Sequence, residues 1–158
     1  YGATARRYHY IYCDAGDYPD PFVHDLTWTV KPLDADVMHR AARGLLGEQD
    51  FSSFRAAGCQ SLTPWRCVHR VEVFRRGPLV CLLIEANAFL LHMVRNIAAF
   101  LHDVGRGDTT QTTAEVLAAQ DRGSIGITAP PQGLYLTGVT YPDEDFPPGL
   151  PPVIMPHA

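Results

Sequence analysis

Residues 87–105 constrain this chain more than any other stretch. Apolar side chains recur there at every third or fourth position: Leu91, Val94, Ala98 and Leu101 along one line, and Met93, Ile97, Phe100 and Val104 beside it. That spacing predicts a helix running to Gly105, and a helix apolar on most sides is buried. Arg95 is set into it, with no Asp or Glu within four residues on either side. A guanidinium does not lose its proton, so when buried it needs an anion or several acceptors. Its partner must come from elsewhere in the fold, from a ligand, or from another chain; the alternative is an arginine that snorkels to the helix edge and sits in water.

At 158 residues, 46% of them apolar and 19% charged, the chain has the composition of one globular domain. No apolar run approaches the roughly 20 residues of a membrane helix. The N-terminus carries no apolar leader and no initiator Met, so the chain reads as a portion of a longer protein. Cys13, Cys59, Cys67 and Cys81 form no C-x-x-C pair and no zinc spacing with the histidines, so they read as reduced thiols of a cytoplasmic protein. His92 and His102 fall near the Arg95 face of the helix, but a third ligand is missing, and neither a metal nor an organic cofactor is implied.

Charge is unevenly spread. The net charge is −4, yet residues 55–95 sum to +4 between acidic ends, and every basic residue except Lys31 is an arginine. Arginine binds phosphate through a planar fork and stacks on bases. A basic middle fits a cleft facing a polyanion, or equally a solvated strand face.

The remaining pattern is mixed. Thr4–Tyr12 alternates as a strand, with Tyr8, Tyr10 and Tyr12 on one side and Arg7, His9 and Ile11 on the other. Residues 14–22 read as a loop and Leu26–Val30 as a short strand. A helix starts at the N-cap Asp34 and ends at Gly47. Arg66–Arg75 alternates as a strand, placing Arg66, Arg70 and Glu72 on one face. Gly77-Pro78 turns the chain into the apolar strand Leu79–Glu85. After the Arg95 helix come a short helix to Ala119, a Gly/Pro-rich loop and a strand from Leu134 to Tyr141. Residues 1–141 form the domain, and the Pro-rich residues 142–158 read as an extended tail. Strands and helices do not alternate strictly and hairpins are expected, so the class is α+β: a mostly antiparallel sheet with helices packed on one face.

Five segments carry a family resemblance. They are Ala3-Thr4-Ala5-Arg6-Arg7-Tyr8-His9-Tyr10, Asp50-Phe51-Ser52-Ser53-Phe54-Arg55, Cys59-Gln60-Ser61-Leu62-Thr63-Pro64-Trp65-Arg66, Ala86-Asn87-Ala88-Phe89 with His92-Met93-Val94-Arg95-Asn96, and Gly133-Leu134-Tyr135-Leu136. In this order and spacing the chain resembles the tRNA pseudouridine synthase A (TruA) family over nearly its whole length. The resemblance implies a pseudouridine synthase-like fold and an isomerase that converts uridine to pseudouridine in the tRNA anticodon stem-loop. It also implies a homodimer with tRNA lying across both subunits.

The family's nucleophilic aspartate lies in an R-T-D-x-G-V-H-A-like motif upstream of the first of these segments, and no Arg-Thr-Asp occurs here. The resemblance therefore implies the C-terminal half of the enzyme, inactive without its N-terminal half. It gives Arg95 the role of pairing with that aspartate, Tyr8 that of packing on the target base near its C5 proton, and Leu134 that of an apolar floor. Without the resemblance, Tyr8 reads as a strand aromatic and Leu134 as a core leucine. Arg6, Arg7, Arg55 and Arg66 are the candidate RNA contacts. The competing reading is a non-catalytic RNA-binding module on the same fold.

Overall fold

The computed structural model describes residues 2–14, 21–142, 144, 145, 149 and 151. Its centre is a hairpin of two long strands, β4 (Trp65–Arg76) and β5 (Leu79–Ala86), turned at Gly77 with φ +57°. That left-handed conformation is open to glycine at no steric cost. β5 lies beside β1 (Ala5–Cys13), and β1 beside β6 (Leu134–Tyr141), all antiparallel. Among the described residues the sheet has seven strands and runs β3 (Gly47–Asp50), β4, β5, β1, β6, β7 (Glu144–Asp145); β2 (Trp28–Thr29) pairs in parallel with the end of β1. The continuous apolar run 79–84 is buried throughout, as a central strand should be.

The sheet has two unlike faces, and β1 shows why. Tyr10 and Tyr12 are fully buried under the helices, with Tyr8 packed against the same core; Ile11 and Cys13 enter a smaller cluster on the other side. Side chains alternate across a strand, so Arg6 shares the helix face with Tyr8, whereas Arg7 shares the far face with His9. Three helices cover the first face: α1 (Ala35–Ala42), α2 (Met93–Arg106) and α3 (Thr113–Ala119). The fold is the α+β arrangement anticipated, a mostly antiparallel sheet with its helices on one face.

Several local expectations are corrected. Residues 87–92 do not join the helix: α2 starts at Met93, after His92 at φ +58°, and Leu91 is left 48% exposed. The helix runs past Gly105 and stops at Gly107, in the left-handed conformation at φ +73°. Gly105 serves packing instead, since a Cβ there would lie 2.6 Å from Met38 Sδ. Asp34 caps α1 through hydrogen bonds to the N–H groups of Asp36 and Val37, but the helix tightens into a 3-10 turn at Arg43–Leu45. Gly47 opens a short strand, β3 (Gly47–Asp50), that the sequence pattern did not signal. The strand expected over Leu26–Val30 shrinks to β2.

The alternation in β4 breaks at His69, where a bulge shifts the register. Val68 pairs with Ala86, while Arg70 pairs with Glu85, so Arg66 and Val68 face the helices and Arg70 and Glu72 face away. Arg66 and Arg70 are thus on opposite faces, contrary to the simple two-residue period. The loop expected over 14–22 lies mostly outside the described residues, as does the tail from 142. Of that tail, Glu144–Asp145 forms β7 against Thr140 and Tyr141, and Gly149 N–H donates to Thr137 O at 2.7 Å.

Candidate active site

Arg95 lies in the first turn of α2, half-buried, where Met93, Val94 and Ile97 fix the helix to the core. Its Nε–H donates to Ala129 O at 2.8 Å, and Ala129 N–H donates back to Arg95 O at 3.2 Å. Among the described residues no carboxylate forms an ion pair with it. The loop it grips also accepts the Tyr10 hydroxyl, at 2.6 Å through Pro130 O. Burial pushes that phenol well above its ordinary value, against the opposing pull of the Arg95 charge.

Leu134 opens β6 directly across from Tyr10, and Tyr8 is the next residue of β1 on the same face. Gly133 just before it is obligatory, because a Cβ would meet Ile11 O at 2.8 Å and the Tyr10 ring at 2.9 Å. Tyr8 is half-buried and meets Phe89 edge to face, with ring centroids 5.0 Å apart. Of the three residues singled out from sequence, Leu134 and Tyr8 thus adjoin Tyr10 on the sheet, and Arg95 meets Tyr10 through the loop that both bind at Ala129 and Pro130. Tyr8 also lines a cleft of about 470 Å³ with Arg6, Cys59, Phe89, Leu91 and His92.

The candidate RNA-contacting arginines separate. Arg6 is exposed at the cleft beside Tyr8. Arg7 lies on the other face of the sheet, lining a cavity of about 640 Å³ with His9 and Arg70. Burial lowers its guanidinium pKa, Glu85 opposes that, and Arg70 adds to it; its Nε is buried without a hydrogen-bond partner. Arg55 donates through Nη2 to Ser61 O and Cys59 O, at 2.5 and 3.2 Å, and so shapes the cleft rim. Arg66 donates through Nη1 to Thr63 O and Trp65 O. At that rim the Cys59 thiol is brought down to about 6, chiefly by backbone hydrogen bonding from Leu91 and Ser61, with Arg55 assisting.

Asn96, next to Arg95 on the helix, is fully buried and ties three segments together. Its Nδ2 donates to Phe54 O, and its Oδ1 accepts from Thr128 Oγ1, both at 2.8 Å. Arg122 donates to the same Thr128 hydroxyl at 3.0 Å and to the carbonyls of Ile125 and Gly126. Ser53 similarly donates to Val116 O, and accepts from Asp121 N–H. The one available signal was a polar residue at a core position of an apolar helix. Among the described residues no three His, Cys, Asp or Glu side chains cluster as metal ligands.

The mixed fold, with helices on one face of a mostly antiparallel sheet, is that of the pseudouridine synthase-like class. Residues 41–142 fit the sequence profile described as tRNA pseudouridine synthase, and the chain belongs to that family. It is 50% identical over 145 residues to tRNA pseudouridine synthase A of Salmonella arizonae, covering 91% of this chain and 54% of that protein. The same identity and coverage hold for the Escherichia fergusonii protein of that name, and a Shewanella relative is 50% identical with 56% of its length covered. The chain thus spans about half the length of the curated relatives it matches. Among the described residues no helix is long and apolar enough to cross a membrane.

Proposed function

We propose that this chain is the C-terminal half of a cytoplasmic tRNA pseudouridine synthase that modifies uridine in the anticodon stem-loop, acting as a homodimer without metal or organic cofactor. The observation that carries the reading is Arg95: half-buried, oriented through Nε by a carbonyl, and without a carboxylate partner among the described residues. Its free edge suits an aspartate supplied by the N-terminal half. An adjacent guanidinium keeps such a carboxylate ionised, as a nucleophile requires. Tyr8 stacks on the flipped base and stands near its C5 proton, and Leu134 closes the pocket beneath.

In the reaction the C1′–N1 bond of the nucleotide breaks, the base turns, and a C1′–C5 bond forms; C5 loses its proton and N1 gains one. Arg6, and more weakly Arg55 and Arg66, meet RNA phosphates beside the cleft, and Arg7 contacts RNA from the other face.

The test is tritium release from tRNA labelled at C5 of uridine. The 158-residue chain alone should release none, and supplying the N-terminal half should restore release. Release by the chain alone at the rate of the complete protein would overturn the assignment, because the nucleophile would then have to lie within these residues.

A further inference from the structure

We propose that the loop over residues 121–133 is a positioning device for Arg95, latched by Thr128 and Arg122; its catalytic consequence rests on the function proposed above for Arg95. A guanidinium on a helix can rotate about several bonds, so a fixed orientation needs an external anchor. Here the anchor is a backbone carbonyl, Ala129 O, on the irregular stretch between two 3-10 turns, Arg122–Ser124 and Pro131–Gly133. A loop carbonyl is a firm anchor only if the loop is itself held.

Three side-chain latches hold it. Thr128 Oγ1 donates to Asn96 Oδ1 at 2.8 Å, joining the loop to the residue next to Arg95 on the same helix. Arg122 Nη2 donates to Thr128 Oγ1 at 3.0 Å, and its Nη1 donates to Ile125 O and Gly126 O at 3.0 and 2.9 Å, curling the loop on itself. Tyr10 Oη donates to Pro130 O at 2.6 Å from the sheet side. Thr128 and Pro130 thus flank Ala129, one latched to α2 and the other to β1. The Thr128 hydroxyl is the joint: it accepts from Arg122 while donating to Asn96, so a side chain of equal size without the hydroxyl breaks both bonds at once.

The experiment uses the complete protein carrying this chain. Thr128→Val keeps the volume and removes both bonds; Thr128→Ser restores the hydroxyl. Arginine-selective labelling follows hydrogen exchange of the Arg95 Nε–H, identified by its loss in Arg95→Lys. Thr128→Val should speed that exchange and lower kcat, each by about tenfold, with KM for tRNA unchanged, since misorientation acts on the reacting geometry rather than on binding. Thr128→Ser should recover both. If Thr128→Val does not fold, Arg122→Gln removes the second latch and should show the same split.

Unchanged Nε–H exchange in these variants overturns the proposal. Faster exchange with kcat and KM both unchanged upholds the latch but overturns the catalytic role of Arg95, so the two readings fail separately. A rise in KM with kcat constant also overturns the proposal, because the loop would then serve binding.

Discussion

Arg95 and Ala129 exchange hydrogen bonds in both directions: the Arg95 side chain donates to the Ala129 carbonyl, and the Ala129 N–H donates to the Arg95 carbonyl. One residue thereby both receives and orients the loop that orients it. Because this pairing occupies Nε and leaves the rest of the fork unmatched by a described carboxylate, charge and geometry at Arg95 can be separated by substitution.

Arg95→Lys keeps the charge but not the planar fork. In the complete protein it should lower turnover by roughly 100-fold or more, the scale of losing a preorganised charged contact. tRNA binding and the melting temperature should change little, as the side chain is half-buried and makes one internal hydrogen bond. Tritium release, tRNA binding and a thermal melt check this; turnover near that of the wild type would remove Arg95 from the reaction.

Arg6 and Arg7 are neighbours in sequence but face opposite sides of the sheet. In a salt titration of anticodon stem-loop binding, Arg6→Ala should reduce the slope of log K against log salt by roughly one. Arg7→Ala should change it less, since its guanidinium lies across the sheet from Tyr8. Equal effects would mean that the two faces carry equal shares of the phosphate contacts, and no effect from either would place the groove elsewhere.

Gly105→Ala ought to stabilise an exposed helix by about 1 kcal/mol. Here the added methyl would lie 2.6 Å from Met38 Sδ and 2.7 Å from its Cγ, and Met38 is fully buried. The expected outcome is a loss of roughly 1–3 kcal/mol in urea unfolding, the range for overpacking. Met38→Ala combined with Gly105→Ala should show a favourable coupling; strict additivity of the two changes would refute the contact.

His9 is buried, with Nδ1 2.7 Å from Thr137 Oγ1. Desolvation first, then the charges of Arg7 and Arg70, bring its pKa down from 6.5 to about 4. The unfolded chain therefore takes up a proton that the folded one refuses, and stability present above pH 6.5 is lost as pH falls toward 4. Between pH 6.5 and 4.5 this amounts to roughly 2 kcal/mol. Urea melts across that window should show a shallower pH dependence for His9→Gln than for the wild type, and parallel curves would exclude His9 as the source.

How much of this was legible beforehand depended on the range of the interaction involved. β1, the buried strand β5, the Asp34 cap and the strand from Leu134 follow from local pattern and chemistry. The failures were local rules overruled from a distance. Gly105 looked like a helix stop, but Met38 needs its missing side chain, and Gly107 supplies the left-handed end. The bulge at His69 is invisible to a two-residue period, yet it sends Arg66 and Arg70 to opposite faces.

The sequence by itself determined that this chain is α+β, that one apolar helix carries an isolated arginine, and that its motifs resemble one family, because these rest on spacing and residue type along the chain. Only the tertiary structure decided what holds that arginine. Asn96, Thr128, Arg122 and Tyr10 converge on residues 128–130 from a helix, two parts of a loop and a strand. Hydrogen bonds form between atoms within about 3 Å whatever their separation in sequence, and no one-dimensional pattern encodes that meeting.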